Sequence, residues 1–431
     1  MSILFTNVTT QGENPLKQGY LATADGKITY MGQERPQGDF SREISCEDKI
    51  LMAGLVNAHT HVPMSLLRGI GGGHNLQDWL NKFIFPAEAR LDSRAVAIGT
   101  ELSIAELLAC GVTSFADMYD FVEDIAQVVA KTGINANLSR GVLCFDPSAD
   151  LDSLQGIQDT KALLKNWQNH HDGQIRCDLS LHGEYTSFPK LWDYMGNMVA
   201  ETGARIHIHV SETKSEHEEC KGRNGTTPLQ ILERHGVWAN GGLAAHCVWT
   251  EEADWDLMVK RDISPVHNPV SNLKLGSGVA PISGMLEKGV NVALGTDGVA
   301  SNNNHDLWEE MKLTAMLHKG VALDPTLISS QTALEIATKN GGKALGRKTG
   351  VLEVGYDADL ILVDFSSLSM IPCHDVTENL VFSARGSDVC LTMCRGKVLY
   401  ENGVYTTIDV EKLKKEVKDY GVPCILGELG T

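Results

Sequence analysis

A regular alternation of short apolar runs and amphipathic stretches extends through most of this 431-residue chain and constrains its fold more than any other feature. Short apolar runs bounded by turn residues are typical of buried strands, and the amphipathic stretches between them are typical of helices that cover a parallel sheet. Helical stretches include 94–110 and 121–131. Eight runs are candidate strands: residues 51–57, 111–116, 134–141, 175–181, 204–210, 242–245, 262–266 and 290–295. Because eight such units form a TIM barrel of about 250 residues, we predict a (β/α)8 barrel over residues 51–349.

The two ends of the chain differ from this pattern. Residues 1–50 and 350–431 contain short alternating segments separated by turn residues, as in Ala24-Asp-Gly-Lys. Such segments are typical of strands and hairpins. We therefore predict an α/β protein whose TIM barrel carries a small β-sandwich domain built from both chain termini.

Charge and composition exclude several classes of partner. The net charge is −18, and binding to nucleic acid requires a basic surface. No run approaches the ~18 apolar residues of a membrane span. The N-terminus lacks the basic and apolar regions of a secretory signal, and the ten cysteines contain no CxxC pair. We expect a cytoplasmic protein with free thiols, and a homo-oligomer that binds neither nucleic acid nor membranes.

Side chains that can bind a metal follow five of the eight predicted strands. Active-site residues of a TIM barrel lie at the C-terminal ends of its strands, so these side chains should meet. One such residue alone is weak evidence, because a lone histidine is more often a core residue and an aspartate before glycine is more often a turn residue. Three histidines and one aspartate suit Zn²⁺. The candidates are His59 and His61, two apart on one strand face, then His209, His246, His267 and Asp297.

Four segments make the chain recognisable. They read AGLVNAHTHVPMSLLRG from residue 53, HVSET from 209, SNLKLGSG from 271 and LGTDGVASNNNHDLWEEMKL from 294. Together they resemble the amidohydrolase superfamily, and more narrowly its 5-methylthioadenosine/S-adenosylhomocysteine deaminase group. The resemblance implies hydrolytic deamination of an adenosine-type nucleoside, such as methylthioadenosine, S-adenosylhomocysteine, adenosine or 5′-deoxyadenosine, to the inosine analogue and ammonia.

The resemblance also implies a role for each matching residue of the metal site. One divalent ion, Zn²⁺ with Fe²⁺ or Mn²⁺ as alternatives, is bound by His59, His61, His209 and Asp297. His246 hydrogen-bonds the attacking water. Glu212 moves protons between the water, the purine N1 and the leaving ammonia, and Asp297 can also accept a proton. No lysine follows the fourth strand to bridge two metals, so the resemblance implies a single ion.

Substrate contacts are implied for four further residues. Glu88 matches a glutamate that grips the ribose hydroxyls, although a solvated helix carboxylate is the alternative. Trp79 matches a tryptophan beside the substrate, with plain packing as the alternative. His182 matches a histidine that contacts the nucleoside, and Arg140 matches an arginine near the site.

Some positions depart from the group or need no special role. Glu184 stands in Gly-Glu-Tyr-Thr where the group usually reads Ala-Pro-Tyr-Thr, so it either alters the preference for the 5′ substituent or faces solvent. The triple-glycine loop 71–73 should be flexible. We expect His207 behind the ligands or in the core, and no ligand role for His267. Surface or helix positions are expected for the remaining candidates, which are His74, His217, His305 and His318.

Two other functions remain open at this stage. The same metal site can hydrolyse another heterocycle, such as guanine, a pterin or a chlorinated triazine, because fold and metal do not determine the substrate. Glu88 argues against this alternative, since a carboxylate that binds a diol has no purpose with a bare base. A non-catalytic barrel acting as a binding module is the third reading, but such a protein would normally lose ligands that are present here.

Overall fold

The protein is described by a computed structural model that covers residues 2–11 and 15–428. Its larger part is the predicted barrel, in which eight successive strands pair in parallel. Small apolar side chains such as Ala58, Ala116 and Ala293 fill the barrel interior. The barrel strands, named first to eighth in chain order, are Leu55–Thr60, Val112–Met118, Asn135–Ser139, Ile175–Cys177 continued by Leu179–Gly183, Ile206–Val210, Gly242–His246, Ile263–His267 and Ala293–Leu294.

The barrel closes where its first and last strands meet. Thr60 forms a parallel bridge with Asp297, and the Asp297 amide donates to the His59 carbonyl at 3.0 Å. Two of the predicted metal ligands thus form the closing seam with their own backbone.

Helices surround the barrel at the positions where the sequence predicts amphipathic stretches. The predicted helices 94–110 and 121–131 correspond to Ser93–Ala109 and Val122–Thr132. Further helices of the barrel region are Leu76–Trp79, Phe85–Glu88, Gln155–Trp167, His170–Gly173, Pro189–Thr202, Lys214–Asn224, Pro228–Arg234, Glu252–Arg261, Pro269–Lys274, Ile282–Glu287, Leu307–Ala322, Ser330–Ala337 and Lys339–Ala344. Among the described residues, no helix is long and apolar enough to cross a membrane.

The first predicted strand, 51–57, is wrong as a single element. Lys49–Ala53 and Leu55–Thr60 are two strands, and the former pairs antiparallel with Leu360–Asp364 outside the barrel. Both are buried and apolar, so the sequence shows no break between them. The chain crosses at Gly54, where an added Cβ would lie 2.2 Å from the Thr113 side chain.

Two sheets from the chain ends enclose a separate apolar core, as predicted for the small domain. Ile3, Phe5 and Leu21 of one sheet pack with Leu360 and Met393 of the other. The first sheet contains Ser2–Val8, Gly19–Ala24, Lys27–Gly32 and Arg42–Ser45, and the second contains Lys49–Ala53, Leu360–Asp364, Val389–Cys394, Lys397–Glu401 and Val404–Tyr405.

The end of the chain is helical and lies against the barrel. Val410–Glu416 and Val422–Leu426 are α-helices joined by a π-helical turn, Val417–Gly421. The Tyr420 hydroxyl donates to Asp92, which caps the helix Ser93–Ala109. A further helix, Val376–Phe382, lies in the preceding segment.

Candidate active site

Four predicted ligands converge at the C-terminal end of the barrel. The Nε2 atoms of His61 and His209 are 3.3 Å apart. Asp297 Oδ1 lies 3.4 Å from His59 Nε2 and 3.3 Å from His61 Nε2. Strands one, five and eight supply these atoms, and the parallel barrel brings their ends together. The spacing suits ligands that share one small cation.

Each of the three histidines has its Nδ1 atom occupied. The Nδ1 of His61 donates to the Met118 carbonyl at 2.5 Å, and that of His209 donates to the His182 carbonyl at 2.7 Å. His59 Nδ1 contacts His207 Nε2 at 2.8 Å. Such contacts fix each ring and leave Nε2 as the atom that can face a metal.

The His59 Nε2 atom provides a direct test of whether a cation fits. It is buried and has no hydrogen-bond partner among the described residues, which is costly unless a ligand satisfies it. Burial lowers the pKa of His59 to about 4, and it holds the pKa of His209 well below its usual value, so both rings are neutral as ligation requires. His61 differs, since Asp297 outweighs burial and raises its pKa to about 9. A cation therefore has to displace a proton there.

Asp297 is held by two serines that sequence reasoning missed. Ser271 and Ser301 donate their hydroxyls to Asp297 Oδ2 at 2.6 and 2.8 Å, and the Gly298 amide donates to Oδ1 at 2.7 Å. Both serines lie in segments that carry the family resemblance, Ser271 in the one that begins at residue 271 and Ser301 in the one that begins at residue 294. Their hydroxyls fix the carboxylate so that Oδ1 faces the histidines.

Glu212 and His246 stand beside the ligands. Glu212 Oε2 lies 3.8 Å from His246 Nε2, and the Ser277 hydroxyl contacts Oε1 at 3.5 Å. His246 Nδ1 is fixed by Asn272 Oδ1 at 2.9 Å. Burial raises the pKa of Glu212, which favours a carboxyl group that can carry a proton.

The backbone of Glu212 is fixed by a second buried carboxylate. Glu216 accepts from the Ser211 amide at 2.7 Å and from the Glu212 amide at 2.8 Å, one with each oxygen. Thr213 and Glu216 also form a capping box at the N-terminus of the helix Lys214–Asn224. The start of this helix therefore fixes the backbone at Glu212.

Left-handed backbone conformations cluster at the same strand ends. Ser211, His246, Cys247 and Asp297 have φ angles of +49°, +71°, +51° and +62°. For residues other than glycine, sparsely populated conformations of this kind cost of the order of 1–3 kcal/mol and concentrate at functional sites. The fold thus accepts strain at the strand ends that carry His246 and Asp297.

A cavity of about 320 Å³ opens above this cluster and includes three of the predicted substrate contacts. Trp79, Glu88 and His182 line it together with His61, His209, Glu212, His246 and Asp297. The Tyr119 hydroxyl donates to Glu88 Oε1 at 2.5 Å. Burial raises the pKa of Glu88 to about 7, so this is not a fully solvated helix carboxylate.

Trp79 and Glu88 reach the cavity because their helix is irregular. It runs through Leu76–Trp79, the π-helical turn Leu80–Ile84 and Phe85–Glu88. Residues nine apart in a regular α-helix point about 180° apart. A π-helical turn takes up one additional residue, which reduces this angle to roughly 80°. Both side chains can therefore face one cavity.

Arg140 and Glu184 lie outside the cavity lining. Arg140 pairs with Asp120 and, at 3.5 Å, with Asp159, and it donates to the Gly141 carbonyl. Glu184 is buried and accepts from Arg223 at 2.7 Å. The expectation that Glu184 faces solvent is therefore wrong, because Glu184 is buried against the half-exposed Arg223. An effect of Glu184 on the preference for the 5′ substituent stays a prediction.

The remaining histidines and the glycine loop are mostly as expected. His207 lies behind His59, and His217 and His318 are in helices, although both are buried. His305 is neither on the surface nor in a helix: it is buried between the Ser103 and Thr296 hydroxyls. In the triple-glycine loop, Gly71 has a φ of +71°, and an added Cβ would lie 2.8 Å from the Phe83 side chain.

The comparisons with known proteins agree with this geometry. The profile of the amidohydrolase family matches residues 50–399. The chain belongs to this family. Among its amidohydrolase relatives, the 5′-deoxyadenosine deaminase of Methanosarcina acetivorans is 41% identical over 405 residues, covering 94% of this chain and 93% of the relative. The 5-methylthioadenosine/S-adenosylhomocysteine deaminase of Acetivibrio thermocellus is 39% identical over 428 residues, covering 97% and 98%.

A solved amidohydrolase structure superimposes on nearly the whole chain. It is an adenosine deaminase from Xanthomonas campestris with bound zinc, 32% identical with a TM-score of 0.93, and the match covers 98% of each chain. The agreement confirms the barrel with its accompanying strand domain.

Proposed function

We propose that this amidohydrolase removes the 6-amino group of adenosine-type nucleosides by hydrolysis, giving the inosine analogue and ammonia. The observation that carries the proposal is one cavity that holds both the His/Asp cluster with Glu212 and the half-buried carboxylate of Glu88. The first set suits attack on an aromatic carbon, and the second suits a ribose diol. Relatives of about 40% identity are nucleoside deaminases.

His59, His61, His209 and Asp297 would hold one divalent cation, and their nitrogen and carboxylate donors suit Zn²⁺, with Fe²⁺ and Mn²⁺ as alternatives. When bound, the cation acts as a Lewis acid and lowers the pKa of an attacking water to near neutrality. The bound zinc of the Xanthomonas campestris adenosine deaminase supports this choice.

Glu212 is the proton carrier in this proposal. Its raised pKa lets it deliver a proton to the purine N1 as the water attacks C6, and N1 protonation makes the ring carbon electrophilic. Glu212 then takes up a proton released by the attacking water and passes it to the leaving amine, so that the two protons of the water replace those that end on N1 and on ammonia. His246, 3.8 Å from Glu212 and held by Asn272, orients the attacking water. Asp297, fixed by Ser271 and Ser301, accepts a proton from that water.

Glu88, His182 and Trp79 bind the nucleoside. The Glu88 carboxylate can accept two hydrogen bonds from the ribose hydroxyls once the substrate displaces the Tyr119 contact. Trp79 supplies a flat apolar surface whose indole N–H is already used by the Ile70 carbonyl. Arg140 acts indirectly, because it holds Asp120 at the cavity wall.

Deamination of a bare heterocycle is the alternative that Glu88 opposes, since the half-buried Glu88 carboxylate in the cavity would remain without a diol to bind. A screen of the purified protein against adenosine, 5′-deoxyadenosine, methylthioadenosine, S-adenosylhomocysteine and guanine, followed by ultraviolet absorbance, separates the two. We expect turnover of the nucleosides and little of guanine. Guanine as the best substrate would overturn the proposal, and no turnover by the metal-loaded protein would favour a binding module.

The setting of the enzyme is also a proposal. The ten cysteines are all unpaired, which suits the reducing cytoplasm. The net charge of −18 disfavours nucleic-acid partners. We propose a homo-oligomer, which light scattering of the purified protein would test directly.

A further inference from the structure

The mouth of the cavity is apolar. Phe85, Phe121 and Leu143 line the cavity yet are 42%, 38% and 42% exposed, so they lie at its opening. His209 and Asp297 are each 6% exposed and lie at the inner end. Large apolar side chains grouped in contact with solvent at a cavity often mark a ligand-binding surface. These three residues are called the rim below.

The cavity lining contains no cation of the lysine or arginine type among the described residues. Its carboxylates include Glu88 and Asp120, and Asp120 directly precedes the exposed rim residue Phe121 in the chain. A negatively charged ligand group placed among these residues would lose water without gaining a partner, which is unfavourable.

Two arginines border cavities that adjoin the mouth, but both are already paired. Arg140 shares its charge between Asp120 and Asp159. On the other side, Arg223 pairs with the buried Glu184 at 2.7 Å and with Glu219 at 3.5 Å. Recruiting either arginine for a ligand carboxylate would leave a carboxylate of the protein without its partner.

We infer that this site takes adenosine-type nucleosides with an apolar, uncharged 5′ substituent and discriminates against a charged amino-acid tail at that position. The inference rests on the proposed function, which places the purine C6 beside Asp297 and the ribose beside Glu88. The 5′ carbon then points toward the rim. A methyl or methylthio group can pack against Phe85, Phe121 and Leu143, whereas the carboxylate of a homocysteine tail meets no free cation.

The first experiment measures kcat/KM of the metal-loaded enzyme for 5′-deoxyadenosine, methylthioadenosine and S-adenosylhomocysteine. We expect at least a ~10-fold lower kcat/KM for S-adenosylhomocysteine than for methylthioadenosine, the scale of one unsatisfied charged group. An equal or higher value for S-adenosylhomocysteine overturns the inference and leaves the proposed function standing. No turnover of any of the three overturns the proposed function itself.

The second experiment places a cation at the rim. Leu143→Arg changes an exposed side chain, and we expect it to raise the ratio of kcat/KM for S-adenosylhomocysteine over methylthioadenosine by about 10-fold, as one charged hydrogen-bond pair allows. Leu143→Gln is the matched control, because it adds polarity without charge and should leave that ratio near the wild-type value. If both variants change the ratio alike, the charge at the mouth does not determine selectivity and the inference is wrong.

Arg140→Gln tests whether the existing ion pairs can exchange partners. A homocysteine tail carries both an ammonium and a carboxylate, which Asp120 and Arg140 could each bind if they separated. Because Arg140→Gln alone would unmask the Asp120 charge, it is combined with Asp120→Asn, and we expect this charge-neutral double variant to leave the substrate ratio unchanged. A loss confined to S-adenosylhomocysteine would show that this pair binds the tail, and the inference would fall.

Discussion

The floor and the side wall of the cavity are built in different ways. The floor residues His59, His61, His209 and Asp297 lie at the ends of barrel strands or just beyond them, and each has a second contact that fixes its orientation. The wall that carries Trp79 and Glu88 is an irregular helix in the connection between the first strand and the helix Ser93–Ala109. The residues proposed for the reaction therefore lie on the rigid barrel, whereas those proposed to select the substrate lie on a connection that can vary between proteins.

Removing a floor ligand should have the largest effect. His59→Ala and Asp297→Ala each delete one of four donors, so we expect loss of most of the bound metal and at least a ~10³-fold fall in kcat, on the scale of losing the Lewis acid altogether. Elemental analysis and kinetics on one preparation check this. About one ion per wild-type chain is expected. Two ions per chain, or full activity without any, would refute a single-metal site.

Glu212→Gln should come next, because it removes a proton carrier from the floor without removing a ligand. Glutamine keeps the shape of the side chain, so the variant should retain its metal and bind nucleoside with little change in KM. We expect kcat to fall by at least ~10², the usual contribution of general acid–base catalysis. If the variant keeps more than about a tenth of the wild-type kcat, Asp297 or His246 carries the proton instead. If the variant loses its metal, Glu212 is a metal ligand.

Glu88→Ala tests the wall. Loss of a charged hydrogen-bond pair to the ribose should lower kcat/KM for ribonucleosides by about 2–4 kcal/mol. Free adenine, a poor substrate, should lose little. Equal losses for base and nucleoside would mean that Glu88 only supports the fold.

The same residue predicts a pH dependence. Burial raises the pKa of Glu88 to about 7, so in the free enzyme the carboxylate that accepts from the diol is lost as the pH falls through that value. KM for ribonucleosides should therefore rise below pH 7. In Glu88→Gln, KM should be higher throughout and this pH dependence should be absent. A wild-type KM that stays constant between pH 8 and 6 would contradict the assignment.

The smallest effect is expected from Glu216, which connects the floor to the surrounding helix. Glu216→Gln replaces one of two acceptor oxygens with a donor that faces a backbone amide. The Glu212 backbone should shift, and we expect about a 10-fold lower kcat with metal content and KM nearly unchanged, the scale of one displaced hydrogen bond. Glu216→Asp, which keeps the charge on a shorter side chain, should restore part of kcat. A change in KM alone would place Glu216 on the substrate side instead.

The floor could be predicted from the strand pattern, whereas the wall residues Trp79 and Glu88 were named only through the family resemblance, for a physical reason. Barrel topology brings all strand ends together, so His209 and Asp297 meet His59 whatever the loops do. The wall depends on loop conformation. A nine-residue spacing between Trp79 and Glu88 places them on opposite faces of a regular helix, and only the π-helical turn reconciles them. The burial of Glu184 against Arg223 likewise depends on a helix far along the chain.

The contact between the first and last strands has a consequence for the order in which the chain folds. Asp297 is bonded through its amide to the carbonyl of His59, across almost the whole length of the barrel sequence. A nascent chain contains the three histidines before it contains Asp297, which follows the eighth strand. Contacts so distant in sequence form late in folding. In the proposed single-metal site, an ion held by all four ligands would therefore require that the first and last strands have already met.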